Sequence, residues 1–245
     1  MLLLALDTST SAITSALYDG SALSVRRRID VRGHAEWLSS QVAELLAEAG
    51  RRPGEVTHVV AGEGPGPFTG LRVGLVTAET FAFATGARYA GVCSLDALAF
   101  AAVRSGAVGP GRFVVATDAR RKEVYWAQYE AGPGDPVPVR RSEPGVSTPG
   151  DLPDEVRALP CVGRGASLYP ESLPHAAGPL DVDAGELALL AAELLEQGRL
   201  DLRERAQPLY LRRPDAVPSV PPAPSVPSTP SASSVSSGAP GGTRV

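Results

Sequence analysis

The stretch "LALDTSTSAITSALYDG", Leu4–Gly20, decides how the rest of the chain is read. It opens inside an apolar run that starts at Leu2 and stops at Asp7, which fits a buried strand. After a short polar turn, apolar and polar side chains alternate through "ITSALYDG" and again through "ALSVRRRI". Asp19-Gly20 between them is a hairpin signal, because both residues accept the backbone of a tight turn. The same order returns later in the chain. "RFVVATDAR" is an apolar strand ending in Asp118, and "EVYWAQYE" follows it as an alternating strand. Asp7 and Asp118 therefore hold equivalent places, each ending a strand that another strand follows. This duplication predicts an α/β chain of two related lobes.

The remaining elements fit that layout. "GHAEWLSSQVAELLAEAG" sets Trp37, Leu38, Val42, Leu45, Leu46 and Ala49 on one helical stripe, with Glu36, Ser40, Glu44 and Glu48 opposite and Gly50 as the stop. "VTHVVAGEG" reads as a buried strand, followed by a glycine-rich run and a helix over Phe68 to Thr85. "RYAGVCS" and "LDALAFAAVRSG" add a strand and a helix, closing a first lobe at 1–106. In a second lobe at 107–213, "PCVGRGA" reads as a short strand with a turn and "DAGELALLAAELLEQG" as an amphipathic helix. "AQPLYLRRPD" is a strand or an extended packing segment, and the Pro- and Gly-rich stretch from Ala131 to Leu159 has no assigned element. Residues 214–245 are Pro, Ser, Ala and Gly with little else. Such a composition buries too little apolar surface to offset ordering entropy, so a disordered tail is expected.

Composition narrows the function classes. Of 245 residues, 43% are hydrophobic and 20% charged, and the formal net charge is -4. That balance argues against a protein that grips nucleic acid on its own, which needs a dense basic surface. Arg26-Arg27-Arg28 and Arg120-Arg121-Lys122 are read as solvated strand and turn residues. Two cysteines, Cys93 and Cys161, form neither a disulfide framework nor a metal-ligand spacing, which fits a cytoplasmic protein. The apolar start lacks a basic flank and turns acidic at Asp7, so it reads as a strand and not a signal peptide, and no stretch is long and apolar enough to span a bilayer.

The run "GEGPGPFTGLRVG", Gly62–Gly74, invites a phosphate-binding reading. It lacks the lysine and Ser/Thr pair of a P-loop, so it is not one. Gly70, Gly74, Ala78, Ala82 and Gly86 instead fall at i+4 spacing, a continuous small-residue stripe. A mid-helix glycine costs about 1 kcal/mol against alanine, so a close contact must compensate. Two readings stay open: packing inside the lobe, or part of a surface for a partner.

A catalytic constellation is hard to assemble. The three histidines, His34, His58 and His175, have no second ligand at metal-binding spacing, and no nucleophile-elbow run exists. Asp7 and Asp118 could act as a carboxylate pair or hold magnesium, or they could cap the turns after their strands. Strand–Asp–strand duplication is the organisation of the actin-like ATPase superfamily, whose two lobes flank a nucleotide cleft. Its phosphate loops usually read Asp-x-Gly-Thr. Here they read Asp7-Thr8-Ser9-Thr10 and Asp118-Ala119-Arg120-Arg121, so the glycine that lets backbone approach a phosphate is missing twice. Asp7 and Asp118 are thus vestigial phosphate-loop positions. Gly163-Arg164-Gly165 is read as a plain turn.

Taken in order, "LALDTSTSAITSALYDG", "GEGPGPFTGLRVG", "AGVCSLDALA", "ATDARRKEVYWAQY" and "PLYLRR" resemble the bacterial TsaB (YeaZ) family over Met1 to Arg213. The resemblance implies an actin-like (RNase H-like) fold and a non-catalytic role in making threonylcarbamoyladenosine in transfer RNA. It implies pairing with the catalytic homologue TsaD, work alongside the ATPase TsaE, a homodimer when alone, contact with tRNA only through the complex, and neither cofactor nor membrane. TsaD-type subunits carry His-x-x-x-His where this chain has Ser94 and Leu98, so no metal is expected. The family pairs through its first two helices. Carried across, the expected interface is His34, Trp37, Leu38, Gln41, Val42 and Leu45 on the first helix, and Gly70, Val73, Gly74, Thr77 and Ala78 on the second. The competing expectation is an actin-like small-molecule kinase or carbamoyl or acyl transferase acting alone.

Overall fold

The computed structural model describes residues 1–29, 34–203 and 205–212, with the side chains of residues 34–36 outside the description. Met1–Arg213 is one compact unit, and the tail expected at 214–245 lies outside the described residues. In chain order the first half comprises β1 (Leu3–Asp7), β2 (Ala12–Tyr18), β3 (Leu23–Ile29), α1 (His34–Glu48), β4 (His58–Gly62), α2 (Phe68–Thr85), β5 (Arg88–Val92) and α3 (Ser94–Arg104). The second comprises β6 (Gly111–Asp118), β7 (Val124–Ala131), β8 (Val139–Arg140), β9 (Gly145–Ser147), α4 (Asp154–Arg157), β10 (Cys161–Val162), α5 (Arg164–Leu168), β11 (Ala176–Ala177), α6 (Ala184–Glu196) and β12 (Leu202–Arg203). The unassigned stretch thus holds β8, β9 and α4, all short.

The first sheet runs β12-β5-β4-β1-β2-β3 and the second β11-β10-β6-β7-β8, with β9 also on β7. β1 pairs antiparallel with β2 and parallel with β4, and β6 pairs antiparallel with β7 and parallel with β10. The two aspartates take matching registers, Asp7 opposite Thr14 and Asp118 opposite Val124. The duplicated organisation read from the sequence is present in both sheets.

β1 reads as an unbroken apolar run because both its faces are covered. Leu4 and Leu6 join Leu38, Val42 and Leu45 of α1 and Leu71, Leu75 and Ala78 of α2 in one core. Leu3 and Ala5 join Leu95 and Leu98 of α3, Leu187 and Leu190 of α6, and Phe113, Val115 and Tyr129 of the second sheet in another. A third core lies on the far side of the second sheet, around Val114, Ala116, Val156 and Leu173. The layers therefore run α1/α2, first sheet, α3/α6, second sheet, α4/α5. After residue 183 the chain returns to the first sheet: α6 packs on β1 and β2, and β12 pairs with β5. A cut at residue 106 separates the two sheets only up to that return. The closing segment, read as a strand or an extended packing segment, is neither helix nor strand from residue 205 to 212.

Candidate functional site

The two aspartates close turns in the same way. Asp7 is fully buried, and its Oδ1 accepts from Ser9 N and Ser9 Oγ, both at 2.8 Å, while Oδ2 accepts from Ser94 Oγ at 2.7 Å. Burial pushes its carboxyl above the usual range, against the pull of those hydrogen bonds. Asp118 Oδ1 accepts from Arg120 N at 2.8 Å, and Arg120 Nη1 lies 3.2 Å from Oδ2. In both lobes the N–H two residues after the aspartate, the group a phosphate loop would offer its ligand, is held by the aspartate itself. Of the readings left open for these carboxylates, this geometry is turn capping. Arg120, Arg121 and Lys122 all take positive φ (62°, 51° and 64°), making a tight basic hairpin tip.

The cleft between the lobes is narrow. Its cavity measures about 20 Å³ and is lined by Ser9, Thr10 and Ser11 from one lobe and Thr117, Asp118 and Arg164 from the other. A ligand pocket for a small molecule is typically about 300–1,000 Å³. Asp7 is not on the wall. The cleft is clamped by Asp181, whose side chain is buried and accepts from Arg164 Nε and Nη2, both at 2.7 Å, and from Arg27 Nη2 of β3 at 3.0 Å. Tyr125 Oη donates across to Gly66 O at 3.4 Å.

The arginine run in β3, read as solvated strand residues, is exposed at Arg27 and Arg28 and half-buried at Arg26, and it is also engaged. Arg26 pairs with Glu44 and Glu48 of α1, Arg27 with Asp181, and the Arg28 guanidinium sits 3.3 Å from the centre of the Trp37 ring.

The glycine run packs against the first Asp turn. Thr8 Oγ1 donates to Gly70 O at 2.7 Å and accepts from Gly74 N at 3.0 Å, so the hydroxyl is inserted into one turn of α2. A Cβ at Gly74 would overlap that oxygen, and a Cβ at Gly62 would overlap the Asp7 carboxylate. From Gly70 to Ala82 the small-residue stripe therefore faces inward, with Gly86 exposed at the helix end, and the partner-surface reading of it is corrected: Gly70, Gly74 and Ala78 are buried inside the lobe. The same holds for Leu38, Gln41, Val42 and Leu45 of α1, all buried, with Gln41 Oε1 accepting from Ser15 Oγ at 3.0 Å. Amphipathic helices present their apolar face to their own sheet first. Trp37 remains exposed, Val73 and Thr77 are half-buried, and the His34 side chain lies outside the described residues.

The outward face of the helix pair is made of other residues. On α2 these are Thr69, Arg72, Val76, Thr80 and Phe83, with Val76 60% and Phe83 90% exposed. Helical periodicity alone could have found them, since they lie on the side opposite the small-residue stripe. Glu63 was also missed as a functional anchor within the glycine run. Nearly buried, its carboxylate accepts from Arg203 Nη1 at 2.9 Å and Gln207 N at 2.6 Å, and its backbone O accepts from Leu209 N at 2.8 Å. Burial pushes its carboxyl up. Phe68 and Tyr210 rings meet at 5.1 Å, and Arg212 pairs with Glu123 and donates to Ala119 O. The closing segment is thus a strap from the glycine run to the β6–β7 hairpin.

Ser94 and Leu98, the positions matched to a histidine pair, are structural. Ser94 Oγ links Asp7 to Gly64 N, and Leu98 is fully buried. Among the described residues no group of three His, Cys, Asp or Glu side chains is placed to hold a metal ion, and no helix is long and apolar enough to cross a membrane. Both cysteines are free and buried, and burial pushes each thiol up to about 12.

A family profile described as "TsaD: tRNA N6-adenosine threonylcarbamoyltransferase" matches residues 28–135. The chain is 37% identical over 219 residues to an uncharacterized protein of Mycobacterium tuberculosis, covering 88% of this chain and 93% of that one. It is 30% identical over 224 residues to the Escherichia coli protein named tRNA threonylcarbamoyladenosine biosynthesis protein TsaB, covering 86% of this chain and 95% of the relative. Among solved structures, YeaZ from Pseudomonas aeruginosa superposes with a TM-score of 0.73 at 32% identity, covering 86% of this chain and 99% of that one.

Proposed function

The chain belongs to the TsaB (YeaZ) family, and on that premise we propose that it is a non-catalytic subunit in the biosynthesis of tRNA threonylcarbamoyladenosine, binding and activating a TsaD-type transferase. The observation that carries this reading is the outward face of α1 and α2, where Val76 and Phe83 stand exposed on a helix whose other side is locked to the sheet. Large exposed apolar side chains grouped on a rigid helix favour coverage by a partner. The occupied Asp turns and narrow cleft support the absence of chemistry of its own.

The docking face consists of Trp37, Val73, Val76, Thr77 and Phe83, and a second copy of the chain uses it when the partner is missing. The ATPase TsaE and tRNA are reached through the complex, in the cytoplasm. The test is co-expression with the TsaD-type protein of the same organism and purification by a tag on one of the two. Co-purification and stimulation of threonylcarbamoyl transfer are expected. Val76→Glu should abolish co-purification with an unchanged melting temperature. Failure of the native pair to co-purify overturns the proposal, as does ATP turnover by the lone chain that Asp7→Asn abolishes.

A further inference from the structure

A groove of about 910 Å³ opens beside the docking face, between the C-terminal half of α2 and the β5–β12 edge of the first sheet. Val76, Phe83 and Leu202 give it apolar walls, all three exposed. Arg88, Arg203 and Arg205 stand along it, with Glu79 as the acidic side chain on its wall. Arg203 is engaged by Glu63 and Asp201 at 2.9 Å and 2.7 Å. Arg88 and Arg205 are exposed and have no ion pair among the described residues. An uncovered phenylalanine in one groove with two guanidinium groups that make no ion pair among the described residues is a poor arrangement for solvent and a good one for a carboxylate-bearing chain with an apolar anchor.

We infer that this groove receives an acidic segment with at least one large apolar side chain, carried by the protein that seats on the α1–α2 face. This rests on the docking reading above. The apolar anchor covers Phe83 and Val76, and the carboxylates pair with Arg88 and Arg205. Charge complementarity selects this occupant. A nucleic-acid backbone would need a broader basic surface than two free arginines beside Glu79 on a chain of net charge -4. Charges at the edge of an interface govern association rate and salt dependence more than packing does, so the two contributions separate experimentally.

The experiment measures affinity between the purified chain and its TsaD-type partner by calorimetry at low and high salt. Arg88→Glu/Arg205→Glu should weaken binding roughly tenfold at low salt and flatten its salt dependence. Phe83→Ala should weaken it roughly tenfold and leave the salt dependence intact. Arg88→Gln/Arg205→Gln gives the same reading, with a smaller loss, should charge reversal perturb folding. Wild-type binding that neither arginine pair alters overturns the inference and leaves the docking reading standing. Absence of wild-type binding removes both. Variants that lose binding to tRNA, or lose self-association in sedimentation, while keeping the partner also overturn it.

Discussion

Alanine at Gly74 should destabilise the protein, although alanine is the better helix former. The substitution gains about 1 kcal/mol of helix propensity. Against that, the new methyl group occupies the space of Thr8 Oγ1, which donates to Gly70 O and accepts from Gly74 N. Expelling the hydroxyl removes two buried hydrogen bonds, about 1 kcal/mol each. Forcing the β1–β2 turn away from α2 adds an overpacking cost of about 1–3 kcal/mol. The net loss is about 2–4 kcal/mol. Thr8→Ala alone should cost about 1 kcal/mol, because the helical N–H and carbonyl of this turn keep each other as partners. Combined with Gly74→Ala it should restore most of the loss, since the added methyl fills the vacated volume. Urea unfolding followed by circular dichroism gives all four corners of the cycle, and the coupling should be about 2–4 kcal/mol. A Gly74→Ala protein as stable as wild type, or two losses that simply add, would refute the inward packing of the stripe.

Three further outcomes follow from the buried charges. Burial holds the Asp7 carboxyl above its ordinary value of 3.8, so the native state binds that proton more tightly than the unfolded chain does. Its contribution is full below about pH 4 and is lost as pH rises through the native value. The stability of wild type relative to Asp7→Asn, from urea titrations, should therefore decline from about pH 4 towards neutrality, and an opposite slope sinks the reasoning. Glu63→Gln removes the charge that holds Arg203 and should cost about 2 kcal/mol. Hydrogen exchange should then rise at the amides of Gln207 and Leu209, with α6 unaffected, and unchanged strap protection counts against the anchor role. Asp181→Asn leaves Arg27 and Arg164 facing each other without their shared carboxylate and should cost about 3 kcal/mol. In that background Arg27→Ala should add little, and a full additive loss would show that the two lobes are not joined through this group.

The main strands and the paired aspartates were legible because strands buried on both faces write continuous apolar runs, and hairpins write alternation. Segments whose structure depends on distant contacts were not. β12 is two residues long and exists because β5 offers an edge; nothing in "DLRER" announces it. The return of α6 to the first sheet was equally invisible, since its apolar stripe says only that it packs and not against which layer. At the candidate site, the spacing of Gly70, Gly74 and Ala78 showed that something approaches α2 closely. A single threonine hydroxyl from a turn 62 residues earlier cannot be read from that spacing. The expected interface residues were carried across from the resemblance onto the first two helices, and a resemblance names a helix without naming its outward face; Val76 and Phe83, opposite the buried stripe, carry the informative exposure.

The narrow cleft and the open helix face arise from one set of contacts. A phosphate loop keeps its backbone N–H groups free for a ligand, whereas here Ser9 gives both its N–H and its hydroxyl to the same oxygen of Asp7. The turn drawn tight in this way sets Thr8 into α2, and the glycines that admit Thr8 bring the helix axis close to the sheet. The Ser9 bonds occupy the turn, and the Thr8 bonds tie that turn to α2. A helix held on its inner side by Thr8, and before its start by Glu63 and the strap, offers its outer residues at a fixed spacing. A face ordered before association loses less conformational entropy when a partner covers it. The first Asp turn thus borders the narrow cleft through Ser9 and grips the inner side of α2 through Thr8, which ties the cleft wall to the helix whose far side is exposed.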